Sequence, residues 1–156
     1  MTNSTLTNQE TFWIVVADEA RALVYAKDLK QDPIQELFSL DNAIAREKME
    51  DLISDRGGRS FDSQGEGRHT MSEEKADAKH QAASAFAKEI AKRISGARND
   101  GTCRGFALIA APRFLGLLRD ALKTAGNHAP VVAIDKEVVN QDAAFIENLL
   151  AEHYTF

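Results

Sequence analysis

Two short apolar segments near the N-terminus, separated by three residues, constrain the fold of this chain more than any other feature. Residues 12–17 (Phe-Trp-Ile-Val-Val-Ala) and 21–26 (Arg-Ala-Leu-Val-Tyr-Ala) are rich in β-branched and aromatic side chains. Two such segments at this spacing predict a β-hairpin. Because the first segment is apolar at every position, we expect it to be a central strand that is buried on both faces.

The remainder of the chain alternates between strand patterns and helix patterns. The elements predicted after the hairpin are a strand at 34–40, a helix at 73–97, a strand at 106–110, a helix entered at Pro112, a strand at 131–134 and a last helix capped by Asn140. Alternate residues of a strand share a face, so Ile34, Glu36 and Phe38 are predicted to lie on one side of the third strand.

This order of elements predicts an α/β fold. Three consecutive strands followed by strand–helix crossover units indicate a mixed five-stranded sheet with helices on both faces. Right-handed crossovers favour the strand order 3-2-1-4-5. We therefore expect a ribonuclease H-like sheet.

The bulk composition predicts one soluble domain. The chain has 156 residues, of which 44% are hydrophobic and 28% are charged, and a chain of this size buries about two-thirds of its surface. We expect a disordered tail at residues 1–11 and a single domain at 12–156. Cys103 has no second cysteine to pair with, which fits a reducing compartment. A cytoplasmic protein with no membrane insertion, cofactor or metal is therefore expected.

The net charge limits the classes of partner. A formal net charge of −5 at pH 7 argues against a protein that binds nucleic acid over its whole surface. Any contact with RNA is therefore expected to be local.

A long predicted loop at residues 42–72 carries the least ordinary composition. Its segment 54–69 holds three arginines, one histidine and four of the nine glycines. Glycine lets the backbone approach a ligand closely, and arginine offers a planar set of donors to phosphate or carboxylate. The segment therefore predicts an anion-binding loop. The interleaved Asp55, Asp62 and Glu66 leave open a surface loop in which arginines and carboxylates pair with one another.

A second basic position follows the fourth predicted strand. Ligands of open α/β sheets collect at the carboxyl ends of strands, where helix N-termini present free N–H groups, and Pro112-Arg113 lies at such an end. The predicted anion-binding residues are Arg56, Gly57, Gly58, Arg59, Ser60, Arg68, His69 and Arg113. The alternative for Arg113 is an ion pair with a carboxylate such as Asp135, which ends the fifth strand and borders the same edge.

Catalytic arrangements fit this sequence poorly. A two-metal nuclease would take Asp18 as its first ligand, but Arg113 stands where the fourth strand should supply a carboxylate. Asp18 is instead predicted to bond backbone N–H groups in the hairpin turn. No Gly-x-Ser-x-Gly elbow prepares a nucleophile. No catalytic residue or metal ligand is therefore predicted.

Four motifs together resemble one bacterial family. They are residues 13–18 with Arg21-Ala22, residues 54–62 (Ser-Asp-Arg-Gly-Gly-Arg-Ser-Phe-Asp), residues 67–69 (Gly-Arg-His) and residues 110–116 (Ala-Ala-Pro-Arg-Phe-Leu-Gly). The combination is similar to the host-attachment protein family, over about residues 12–150. The family takes its name from a requirement in the attachment of bacteria to host cells.

That family is similar in fold to the central domain of archaeal and eukaryotic release factors and Pelota. The release-factor domain carries a Gly-Gly-Gln loop that promotes hydrolysis of peptidyl-tRNA, whereas Gly57-Gly58 is followed here by Arg59. The resemblance therefore implies RNA or ribosome binding without the catalytic glutamine. Two alternatives stay open: a protein-interaction module that acts indirectly in attachment, and a hydrolase of a small phosphorylated or acylated compound that uses His69.

Overall fold

The computed structural model describes residues 11–28, 33–44 and 65–155, of which residues 65–72 are described by their backbone alone. The strands are β1 Thr11–Ala17, β2 Arg21–Asp28, β3 Gln35–Asp41, β4 Gly105–Ile109 and β5 Val132–Ile134. The helices of the same residues are α1 Gly65–Asn99, α2 Pro112–Thr124 and α3 Ala143–His153.

The five strands form one mixed sheet in the order β3-β2-β1-β4-β5. The hairpin partners β1 and β2 are antiparallel, as are β2 and β3, while β4 runs parallel to both β1 and β5. This is the strand order that the sequence predicts, and it is consistent with a ribonuclease H-like arrangement.

Strand β1 is the centre of the molecule, and all seven of its residues are buried. Trp13 and Val15 face a core that helices α1 and α2 cover, and Ile14 and Val16 face a core that α3 covers. Each large apolar side chain that is removed from water in this way contributes about 1.5–3 kcal/mol to folding. The continuous apolar run is thus explained, because both sides of β1 pack against helices.

Strand β3 departs from the predicted alternation. Val24 lies opposite Phe38 but Tyr25 lies opposite Glu36, so Leu37 is an extra residue that forms a β-bulge. The bulge places Phe38 against the α1/α2 core, whereas Ile34 joins the core beneath α3. The prediction that Ile34 and Phe38 share a face is therefore wrong, because one inserted residue reverses the side on which later residues lie.

Helix α3 begins later than predicted. Its N-cap is Asp142, whose Oδ1 accepts from the N–H of Phe145 at 2.9 Å. Asn140, the predicted cap, instead accepts from Nη2 of Arg21 at 3.0 Å. Asn and Asp both cap helices well. Because the side chain of Asn140 is bonded to Arg21 of β2, Asp142 caps the helix, and the prediction of Asn140 as the cap is wrong.

Helix α1 is longer than the sheet that it covers. Its 35 residues span about 52 Å at 1.5 Å per residue. The side-chain amide of Asn42, just after β3, donates to the carbonyl of Ala82 at 3.2 Å, which marks where α1 passes the sheet edge. The helix starts eight residues before the predicted position 73, and its backbone from Gly65 to Ala82 extends about 25 Å beyond that edge.

Candidate functional site: the carboxyl edge and the basic helical face

The carboxyl ends of β1, β3, β4 and β5 meet at one edge of the sheet, because these strands run in the same direction. Helix α2 starts at this edge after Ile109, and helix α1 passes it at Ala82. Phe86 and Phe114 stack with their ring centroids 6.1 Å apart, so the first turn of α2 lies beside α1. This is the edge where the sequence predicts an anion site.

The carboxylate of Asp18, at this edge, is hydrogen-bonded within the hairpin turn. Its Oδ1 accepts from the N–H groups of Ala20 and Arg21, each at 2.8 Å, and its own N–H donates to the carbonyl of Arg21 at 2.9 Å. The predicted turn role of Asp18 is confirmed. A carboxylate that satisfies two backbone donors orders the turn and is poorly placed to leave it for a ligand.

The entrance of α2 presents donors without a side-chain cap. Ala111 occupies the N-cap position in an extended conformation, Pro112 is the first helical residue and no acidic residue lies in the first turn. The N–H groups of Arg113 and Phe114 have no acceptor within the helix. Partial positive charge therefore accumulates at this end of α2, beside the Arg113 guanidinium.

Arg113 and Asp135 do not form the alternative ion pair. Both side chains are exposed, and neither makes a hydrogen bond or ion pair with any of the residues that the structure describes. Arg113, at the carboxyl edge, thus has no ion-pair partner among the described residues.

The other predicted anion-binding residues lie elsewhere. Arg56, Gly57, Gly58, Arg59 and Ser60 fall outside the described residues. Arg68 and His69 lie within α1, and the backbone of Arg68 is about 27 Å along the axis from Phe86, the neighbour of α2. A phosphate or sulfate ion is far smaller than this separation. An elongated ligand is needed to reach both Arg68 and Arg113.

Charge is divided between the two helical faces of the sheet. From Ala82 onward, α1 and α2 carry seven Lys or Arg residues against two acidic residues, a net charge of +5, and all nine are exposed. Residues 135–153 around α3 carry one Lys against five acidic residues, a net charge of −4. We call the first surface the basic helical face; its cations are Lys88, Lys92, Arg93, Arg98, Arg113, Arg119 and Lys123.

Two of these cations have structural partners. The guanidinium of Arg93 lies 4.2 Å over the centre of the Phe38 ring, and Nη1 of Arg98 donates to the carbonyls of Cys103 and Arg104. The remaining five make no ion pair or hydrogen bond with the described residues: Lys88, Lys92, Arg113, Arg119 and Lys123. These five have no anionic partner in the part of the chain that the structure describes, and we call them the available cations.

A family model described as "Protein required for attachment to host cells" matches residues 13–150. The chain belongs to this host-attachment family. The match runs from β1 into α3 and so covers the sheet and both helical faces. No curated protein matches the chain significantly.

One serine–histidine pair of this host-attachment protein resembles a nucleophile and its base but is arranged differently. Ser95 Oγ lies 2.9 Å from the carbonyl of Ala125 and 3.0 Å from Nε2 of His128. A carbonyl only accepts, so the hydroxyl proton is donated to Ala125, and His128 must carry a proton on Nε2 and donate it to Oγ. His128 is therefore not placed to remove a proton from Ser95.

The cysteine is equally unsuited to nucleophilic chemistry. Cys103 is 1% exposed, and burial raises the pKa of its thiol to about 11. Reactivity requires the thiolate, which is scarce at neutral pH. Within the described ranges, no group of three or more His, Cys, Asp or Glu side chains is placed to hold a metal ion, and no helix has the length and apolarity to cross a bilayer.

Sequence reasoning missed the basic helical face. The five available cations are spread over 36 positions of a chain whose net charge is −5, so the composition hides them. The signal is visible only when charges are counted helix by helix: Lys88 and Lys92 are one turn apart on α1, and Arg119 and Lys123 are one turn apart on α2.

Proposed function

We propose that this host-attachment protein binds RNA through the basic helical face. The observation that carries the proposal is the local charge: seven cations against two carboxylates on α2 and on α1 from Ala82 onward, in a chain whose overall net charge is −5. Phosphate contacts from Lys and Arg supply most of the sequence-independent affinity for nucleic acid. The acidic surface around α3 repels a polyanion, so binding is directed to one side of the sheet.

The spacing of the cations favours a polyanion over a small ion. Arg113 and Lys123 are separated by ten residues of one helix, which is about 15 Å along its axis. Lys88 and Lys92 lie on the neighbouring helix α1. A chain of phosphates spans such a surface, whereas a single phosphate reaches only a small part of it.

The glycine- and arginine-rich segment 54–69 extends the same proposal. The backbone of Arg68 and His69 lies in the part of α1 that extends beyond the carboxyl edge, and Arg56 and Arg59 precede α1 in the sequence. We include these four residues among the proposed RNA contacts. The resemblance to release factors makes ribosomal RNA in the cytoplasm the proposed target. Because Arg59 stands in place of the glutamine, the proposed role is binding without peptide release.

The test compares two variants with the same net charge. Arg113→Gln/Arg119→Gln/Lys123→Gln removes three cations from α2, and Ala144→Glu/Asn148→Glu/Ala151→Glu adds three carboxylates at exposed positions of α3. Both change the net charge from −5 to −8. Fluorescence anisotropy with a labelled single-stranded RNA, together with ribosome co-sedimentation, measures binding at several salt concentrations.

We expect the α2 variant to weaken RNA binding by at least about tenfold at low salt, and to reduce the slope of log K against log salt by about 2, since each lost contact to a single strand contributes about 0.7. The α3 variant should bind nearly as the parent does. Equal weakening by both variants would show a dependence on net charge alone and would contradict the proposal. Retained affinity in the α2 variant, or capture of a discrete protein without RNA, would also contradict it.

A further inference from the structure

Gly116 has no structural reason to be glycine in this fold. It lies in the interior of α2, is exposed, and an added Cβ would meet no atom within 4 Å. Among the described glycines, a positive φ is found at Gly101 and Gly126 and not at Gly116. Glycine is a poor residue for a helix interior, because it loses more conformational freedom than alanine. The fold alone therefore favours almost any other residue at this position.

The surroundings of Gly116 on the helix are basic. Residues three and four apart on an α-helix are neighbours at its surface, so Gly116 adjoins Arg113 and Arg119, and Lys123 follows two turns after it. Asp120 is the one acidic neighbour on this side of α2. At Gly116, therefore, no side chain covers the helix backbone, and exposed cations lie on either side.

We propose that Gly116 is where the sugar–phosphate backbone of the bound RNA passes closest to α2; this inference rests on the proposed function. A missing side chain lets a ligand approach the helix backbone. The flanking cations Arg113, Arg119 and Lys123 then contact successive phosphates on either side of the approach. Charge complementarity selects the occupant, since an acidic chain is attracted to this surface and a basic or apolar partner is not.

A second open helical glycine among the described residues supplies a matched control. Gly96 is also exposed, and nothing lies within 4 Å of its added Cβ. It belongs to the end of α1 that lies at the opposite edge of the sheet, where the neighbouring Ser95 bonds to Ala125 after the end of α2. Gly96 adjoins Lys92 and Arg93 by the same spacing, but Arg93 is held over the Phe38 ring and Asp100 lies one turn later, so Lys92 is the one available cation beside Gly96. The same substitution at Gly96 reproduces the gain in helix propensity away from Gly116.

The experiment measures RNA affinity and thermal stability for Gly116→Ala, Gly116→Gln and Gly96→Gln. All three should melt at or above the temperature of the parent, because alanine and glutamine are better helix formers than glycine. We expect Gly116→Ala to weaken RNA binding a few-fold and Gly116→Gln by roughly tenfold. The Gly96→Gln protein should lose clearly less affinity than Gly116→Gln, because one available cation, Lys92, adjoins Gly96 whereas Arg113 and Arg119 flank Gly116.

Two results would overturn the inference. One is a Gly116→Gln protein that binds RNA as tightly as the parent while the triple α2 charge variant binds weakly, in which case the proposed function stands without this contact. The other is equal weakening by Gly116→Gln and Gly96→Gln. If the triple charge variant itself binds normally, the proposed function fails together with the inference.

Discussion

The two helical faces of the sheet are alike on the inside and opposite on the outside. Helices α1 and α2 bury Phe86, Phe114 and Leu118 against one side of β1, and α3 buries Ile146 and Leu150 against the other. The charged residues of α2 and of α1 from Ala82 onward sum to +5, and those of residues 135–153 around α3 sum to −4. The apolar residues that face the sheet determine the fold. The outer residues are not needed for packing, so their charges indicate which kind of partner the protein binds.

The largest expected effect tests the similarity of the two interiors. Leu118 and Ile146 are both 0% exposed, one on each side of the sheet. We expect Leu118→Ala and Ile146→Ala each to lower the free energy of unfolding by about 2–5 kcal/mol, measured by urea denaturation. If one of them costs less than about 1 kcal/mol, the two sides are not comparable folding surfaces.

A smaller effect tests the α1/α2 interior by pH. The chain has one cysteine, and Cys103 lies in the α1/α2 core, where burial raises its pKa from 9.0 to about 11. Because the pKa of the thiol is higher in the folded protein, the unfolded chain releases the thiol proton at a lower pH than the folded protein does. The contribution of Cys103 is thus complete below pH 9 and is lost between pH 9 and 11, at roughly 1.4 kcal/mol per pH unit.

Urea midpoints of the parent and of Cys103→Ala, measured from pH 7 to 11, test this pH dependence. The parent should lose stability more steeply than the variant above pH 9. Parallel curves over the whole range would show that burial does not hold the thiol protonated.

The smallest expected effect tests the opposite exteriors. Glu137 and Glu152 are exposed on the acidic side of the sheet. Glu137→Gln/Glu152→Gln should raise RNA affinity by less than about twofold at 0.15 M salt, because charges farther away than the screening length of about 8 Å are largely screened. A tenfold change in anisotropy titrations, in either direction, would mean that the α3 surface contacts the RNA.

The fold could be predicted where a sequence pattern is compatible with one structure only. A run apolar at every position requires cover on both sides, which makes β1 central, and Asp18 in a three-residue connection bonds the turn donors. The β3 bulge and the cap of α3 were not predictable in this way. No particular residue type marks the bulge in the sequence. Asn140 and Asp142 are both suitable N-caps, and the sequence does not show that Asn140 bonds to Arg21 and leaves Asp142 as the cap.

The candidate site was predictable only in part. The motif that contains Arg113 pointed to the carboxyl edge, where the structure places an uncapped helix entrance. The basic helical face depends on which residues of α1 and α2 face solvent after packing. That division follows from the tertiary contacts of Phe86 and Phe114 and not from the order of charges along the chain.

In the proposed function, RNA binds to the α1/α2 side of the sheet and not to the α3 side. NMR titration of the ¹⁵N-labelled protein with a short single-stranded RNA tests this most directly. We expect saturable shifts of backbone amides at Arg113–Lys123 and Lys88–Lys92, with the amides of Ala143–His153 unchanged. Shifts centred on Ala143–His153, or no shifts at RNA concentrations that saturate binding, would contradict it.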